Sequence, residues 1–132
     1  MSQENVEVVR ASITTANTGG LEAALAYLHP DVEWLPLVDM PERQSFRGHE
    51  GIRRVAALLE EAFSEVRIEP EQFVDAGDHV VVVGRLCVTG VGSGAVTESH
   101  RAWVLTLRDG KIIRQLTFND KTEALEAVGL PE

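Results

Sequence analysis

The sequence predicts an α+β fold in which three helices come before an antiparallel sheet. In the first half of the chain, apolar residues recur every three or four positions, the pattern of amphipathic helices. From Val66 onward they alternate with polar residues, the pattern of half-buried strands. Helices that cluster ahead of antiparallel strands are typical of the α+β class. Because the 132 residues contain no repeat and no linker, we expect residues 1–132 to form one domain.

The first half contains three predicted helices and one short strand. Val6, Val9 and Ile13 mark the first helix, and the polar and glycine residues 17–20 end it. Pro30 limits the second helix, because the residue before a proline disfavours helical dihedral angles. A long loop with two prolines follows, and loops of this length often form the mouth of a site. The predicted elements are helices at 6–16, 21–28 and 49–64, a strand at 31–35 and a loop at 36–48.

The second half contains four predicted strands and a last helix. Asp109-Gly110 favours a type I′ hairpin turn, because both central residues of that turn need a positive φ. Asp120 suits the N-cap of the last helix, with Glu123 completing a capping box, and Gly129 suits its C-terminal end. We expect this helix to close one end of the sheet. The predicted strands lie at 66–75, 79–88, 97–108 and 113–119.

Charge and cysteine content exclude several classes of function. Twelve basic and 21 acidic side chains give a net charge of −9, which disfavours binding to nucleic acids and to anionic membranes. Cys87 is the only cysteine, so no internal disulfide can form. The four histidines lack the spacing of metal ligands, and we expect neither a metal nor a cofactor. No signal peptide or membrane-spanning run is evident, which favours the cytoplasm.

Six short motifs, each weak alone, follow one another in an order that is fairly specific. They are NTGGLEA at 17–23, HPDVEW at 29–34, RGHEGI at 47–52, VDAGD at 74–78, LRDGKI at 107–112 and FND at 118–120. Together they resemble the SnoaL-like domains of the nuclear-transport-factor-2-like (ketosteroid isomerase-like) superfamily. The resemblance implies a strongly curved antiparallel sheet wrapped as a cone around three helices, with a short C-terminal helix. It also implies a small hydrophobic ligand inside the cone and a homodimer through the outer sheet face, and it leaves the activity open.

Two catalytic sets of this superfamily are absent at the matching positions. Where the resemblance places the tyrosine, the carboxylate base and the oxyanion-hole acid of ketosteroid isomerases, this chain has Ser12, Trp34 and Trp103. An indole cannot abstract a proton, and a serine is a poor substitute for a phenol. The residues at the positions of the limonene-epoxide hydrolase acids and arginine are Gly84, Leu86 and Thr117. We therefore expect neither activity.

Asp120 and Asp39 are the candidate catalytic residues that remain. Polyketide cyclases of the SnoaL type use an aspartate as acid and base beside the substrate, and Asp120 is the nearest candidate here. The competing interpretation is that Asp120 is only a helix N-cap, since aspartate is among the preferred caps. Asp39 lies on the loop near the expected mouth of the cavity. The competing interpretation is that Asp39 is an ordinary solvated residue of that loop.

Strand alternation predicts which side chains line the cavity. If Trp103 points inward, then Arg101, Leu105 and Leu107 do so too, whereas the dimer partner would cover the outward residues His100, Ala102, Val104 and Thr106. The predicted pocket residues are Ser12, Trp34, Arg101, Trp103, Leu105, Gln115, Thr117 and Asn119. Both tryptophans also fit an ordinary core. Arg101 would bind a ligand carboxylate or pair with a structural acid such as Glu33 or Asp39.

Two functions therefore remain open from the sequence. The first is a small-molecule enzyme of the SnoaL-like class, a cyclase, isomerase or hydrolase that acts on a hydrophobic substrate. The second is a non-catalytic ligand-binding or dimerisation module on the same fold, which the loss of both acid–base sets favours.

Overall fold

The computed structural model describes residues 2–35 and 45–130, and it has the predicted α+β architecture. The helices are α1 (Ser2–Ala24), α2 (Gly48–Ala62) and α3 (Lys121–Ala127), with a 3₁₀ turn at Leu25–Tyr27. The strands are β1 (Leu28–Leu35), β2 (Phe46–Arg47), β3 (Phe63–Ala76), β4 (His79–Gly90), β5 (Val96–Arg108) and β6 (Lys111–Phe118). Within the described residues, no helix is long and apolar enough to cross a membrane.

The six strands form one curved sheet in the order β2-β1-β6-β5-β4-β3. Neighbouring strands from β3 to β6 are antiparallel, as predicted. The sheet as a whole is mixed, because β1 pairs in parallel with β6. The chain between these two strands is long enough to return to the same end of the sheet, which parallel pairing requires. Local alternation could not reveal this long-range pairing.

Gly20 breaks α1 where the sequence predicts the end of the first helix. Its backbone has φ 81° and ψ 176°, a conformation that residues with a side chain rarely adopt. The second predicted helix is correspondingly short, and it passes through the 3₁₀ turn into β1. That strand begins at Leu28 and includes Pro30, so it starts three residues before the predicted strand. A proline is tolerated near the beginning of a strand, because the absence of its N–H removes few hydrogen bonds of the sheet there.

The concave face of the sheet packs against α1 and α2. This inner core unites buried residues of α1, the 3₁₀ turn, α2, β1, β4, β5 and β6. Val9 of α1 and Val80 and Val82 of β4 are fully buried in it. Trp103, Leu105 and Leu107 also belong to this core, which confirms the predicted inward set on β5.

The convex face of the sheet packs against α3. Val81, Ala102 and Val104 form a second buried cluster with Ala124 and Leu125 of this helix. The outward orientation predicted for Ala102 and Val104 is thus confirmed, but the covering element is a helix of the same chain. The expectations that a dimer partner covers these two residues and that α3 closes one end of the sheet are both wrong. The alternation of β5 showed an apolar outer face but not what packs on it.

The predicted ends of α3 are confirmed. The backbone N–H of Glu123 donates to Asp120 Oδ1 at 2.9 Å, so Asp120 is the N-cap. At the other end, Gly129 has φ 76° and Leu130 N–H donates to Leu125 O at 2.9 Å, the pattern of a Schellman motif. The caps stabilise the ends of this helix of seven residues, and its buried Ala124 and Leu125 hold it on the outer face.

Candidate functional site: a cavity between the helices and the sheet

A cavity of about 850 Å³ lies between the helices and the inner face of the sheet. Side chains of α1 and α2 form one wall, and inward-facing residues of β1, β3, β4, β5 and β6 form the other. Most of these side chains are aliphatic or aromatic. The volume falls within the range of small-molecule pockets, which is about 300–1,000 Å³. The curvature of the sheet creates this space, because α1 and α2 fill only part of the concave face.

Seven of the eight predicted pocket residues line this cavity. They are Ser12, Trp34, Arg101, Trp103, Leu105, Gln115 and Thr117. Asn119 does not line it, because β6 ends at Phe118 and the alternation of the strand ends there too. Asp120 is exposed and caps α3 instead of lining the cavity. Asp39 lies outside the described residues.

The two tryptophans of the chain belong to the core and to the cavity wall at once. Trp103 is 4% exposed, and its neighbour on β6 is Thr117. Trp34 is half-buried, and its neighbour on β6 is Gln115. The indole Nε1 of Trp34 is buried and has no hydrogen-bond partner among the described residues. A buried donor without an acceptor is energetically costly.

Arg101 brings a positive charge to the cavity wall. Its side chain is half-buried, and one guanidinium nitrogen, Nη1, donates to the carbonyl of His100 at 2.7 Å. Glu33, one of the two acids considered as its partner, pairs instead with Arg47 at 3.3 Å and with Arg114 at 3.4 Å. These contacts tie β1 to its neighbours β2 and β6. Among the described residues, no acid pairs with Arg101.

The described part of the cavity wall offers little acid–base chemistry. None of the four histidines lines it, and its two carboxylates, Glu60 and Glu65, are exposed. Glu65 also pairs with Arg67 at 3.7 Å. In the same ranges of the chain, no group of three histidine, cysteine or acidic side chains could hold a metal ion.

Sequence reasoning missed much of the cavity wall. Ser99 and Thr97 share the inward face of β5 with Arg101, and the alternation that placed Arg101 could have identified them. Leu59 lies on the predicted apolar face of α2, but no local pattern shows that this face borders an open space. The gap between helix and sheet is a tertiary property.

An ionic network lies on the outer face of the sheet, away from the cavity. Arg67 and Arg85 hold Glu69 at 2.7 and 2.9 Å, and Arg85 also holds Glu98 at 2.7 Å. The hydrogen bond from Arg67 lowers the pKa of Glu69, and the same contact raises the pKa of Arg67. Cys87 lies beneath these side chains, and burial raises the pKa of its thiol. The network joins β3, β4 and β5.

The curved sheet, the enclosing helices and the cavity together define a nuclear-transport-factor-2-like domain. The family model for the SnoaL-like domain matches residues 9–115, and the chain belongs to this family. Comparison with curated proteins gives no significant match.

Solved structures of the same fold span almost the whole chain. A nuclear-transport-factor-2-like protein of unknown function from Burkholderia pseudomallei is 24% identical, with a TM-score of 0.77, over 96% of this chain and 98% of that one. TerC, crystallised with polyporic acid, is 28% identical, with a TM-score of 0.76, over 95% and 97%. A protein from Catenulispora acidiphila with a ketosteroid isomerase-like fold, in complex with trimethylamine, is 19% identical, with a TM-score of 0.75, over 95% and 94%.

Proposed function

We propose that this protein binds a small, largely apolar molecule in the cavity between α1, α2 and the sheet. The observation that carries the proposal is a space of about 850 Å³ with both tryptophans of the chain in its wall. Flat aromatic walls with a few polar groups suit a ring system that carries one or two hydrogen-bonding atoms. The co-crystal of TerC with polyporic acid, at 28% identity, supports this class of ligand.

Native mass spectrometry of freshly purified protein, compared with the denatured mass, tests the proposal. We expect a retained small molecule that is lost in Ser12→Phe, because Ser12 is buried in the cavity wall and a phenyl group there would project into the space that the molecule occupies. Thr14→Phe is the matched control, since Thr14 is exposed on the same helix. Retention of the molecule by Ser12→Phe would contradict binding in this cavity.

The chemistry of the cavity favours a binding module over a cyclase, isomerase or hydrolase. Its described residues include no histidine and no buried carboxylate, which general acid–base catalysis would use. Asp120, one candidate catalytic residue, caps α3. The protein would instead be an enzyme if it turns over the retained molecule and this turnover disappears in Asp39→Ala or Asp120→Asn, with both variants folded.

The predicted homodimer is retained in this proposal with a different contact surface. Because α3 already covers Ala102 and Val104, the outer sheet face that is left for a partner includes the ionic network around Arg85. Sedimentation velocity at micromolar concentration is expected to give twice the mass of the chain. A mass of one chain would contradict the proposed dimer. The cytoplasmic location stays a prediction.

A further inference from the structure

Arg101 carries more hydrogen-bonding capacity than the described protein satisfies. A guanidinium has five N–H donors, and the structure gives this one a single acceptor, the carbonyl oxygen of His100 at 2.7 Å. The side chain is half-buried in a wall that is mostly apolar. A partly buried charge is stabilised by a partner of opposite sign, and no described acid supplies one.

The neighbours of Arg101 on the inner face are neutral. Directly opposite on β4 lies Gly84, which has no side chain to offer. Along β5, the cavity residues on either side are Ser99 and Trp103. The two carboxylates at the cavity wall, Glu60 and Glu65, are exposed, so water screens them. Among the described residues on its own side of the sheet, nothing compensates the positive charge of Arg101.

An aromatic surface lies next to this charge. Trp103 is two residues from Arg101 on the same face of β5, which corresponds to about 7 Å along the strand. A ring system packed against Trp103 could therefore extend an acidic group to the guanidinium. The net charge of −9 makes the chain as a whole repel anions, so an anionic ligand requires a local cation such as Arg101.

We infer, on the basis of the proposed function, that the ligand is an amphipathic organic anion. Its apolar rings lie against the tryptophans, and its carboxylate, or another ionised oxygen group, accepts hydrogen bonds from Arg101. Arginine suits this task, because its planar fork of donors matches the two oxygens of a carboxylate.

Three pyrene probes with one apolar body and different head groups test this inference. They are 1-pyrenebutyrate, 1-pyrenebutanol and 1-pyrenebutylamine, and their binding is followed by quenching of tryptophan emission. Both tryptophans line the cavity, so a pyrene bound there quenches their emission. We expect the wild-type protein to bind the acid about tenfold or more tightly than the alcohol, as for a charge-assisted hydrogen bond, and the amine least tightly.

Arg101→Gln is expected to reduce the affinity for the acid to that for the alcohol and to leave the alcohol unaffected. The matched control is Arg108→Gln, which removes the same charge from an exposed position on the same strand outside this cavity. It should keep the preference for the acid. If Arg101→Gln does not fold, Arg101→Met replaces it, because methionine keeps an extended side chain without the charge.

The possible outcomes separate the inference from the function on which it rests. Equal binding of acid and alcohol by the wild-type protein, or an acid preference that survives in Arg101→Gln, overturns the inference and leaves the proposed function standing. Failure of all three probes to bind the wild-type protein argues against the proposed function itself.

Discussion

Asp120 shows how one contact can decide between two roles for a residue. Its carboxylate accepts the Glu123 N–H at 2.9 Å and is exposed on the outer side of the sheet. An N-cap needs only an acceptor, whereas an acid–base catalyst needs a titrating proton beside the substrate. Asp120 accepts a backbone hydrogen bond of α3 and does not line the cavity, so it meets the requirement for an N-cap.

We predict that Asp120→Ala lowers the free energy of unfolding by about 0.5–2 kcal/mol, because the cap of α3 is lost. Asp120→Asn keeps a capping acceptor and should stay near the wild type. Urea denaturation measures both, and pyrene binding should be unchanged in both variants. A large loss of binding or turnover in Asp120→Asn, with stability intact, would restore a role in the site.

Cys87 is a second residue whose environment determines its chemistry. Its side chain is 6% exposed, and burial raises the pKa of its thiol, so little reactive thiolate forms at neutral pH. We predict very slow reaction of the folded protein with a disulfide reagent and fast reaction in denaturant. Thiol release followed by absorbance checks this, and fast reaction of the folded protein would show that β4 opens readily.

At the scale of elements, the close approach of β3 and β4 explains why position 84 is a glycine. A β-carbon at this position would lie 2.2 Å from Glu69 O and 2.9 Å from Pro70 Cα. The register of the two strands shifts directly after this contact, between Pro70 and Gln72. Only glycine permits this approach without a movement of the β3 backbone.

We predict that Gly84→Ala destabilises the protein by about 1–3 kcal/mol, the usual cost of overpacking. Gly77→Ala is an informative comparison, because its β-carbon meets no atom within 4 Å and the strain there comes from a φ of +76° alone. Thermal unfolding measures both variants. Wild-type stability in Gly84→Ala would mean that β3 can move away from β4.

The ionic network makes the stability of the folded protein depend on pH in the acidic range. Arg67 lowers the pKa of Glu69 in the folded protein. The contact therefore stabilises the folded state fully at a pH above the pKa that Glu69 has in the unfolded chain. This stabilisation is lost as the pH falls through the lower pKa that Glu69 has in the folded protein. We predict that the melting temperature of the wild type falls more than that of Glu69→Gln on acidification through the ordinary glutamate range. Parallel acid dependence of the two proteins would show that the contact contributes nothing measurable.

At the scale of the whole molecule, the cavity links ligand binding to stability. A ligand that binds only the folded state stabilises it by about 2.7 kcal/mol at a concentration one hundred times its dissociation constant. We therefore predict that saturating 1-pyrenebutyrate raises the melting temperature by several degrees, and that Ser12→Phe abolishes this rise. Calorimetry makes the measurement, and an equal rise in both proteins would place the binding elsewhere.

The sequence by itself determined the class of fold, the order of the elements and the inward face of β5. Alternation placed Arg101, Trp103 and Leu105 on one face, and the Asp109-Gly110 turn and the caps of α3 were readable because these signals are local. Only the tertiary structure decided the parallel pairing of β1 with β6, the covering of Ala102 and Val104 by α3, and the contacts that occupy Glu33. These features join parts of the chain that are distant in sequence. The partners available to Arg101, and with them the proposed ligand, therefore became visible only in the folded molecule.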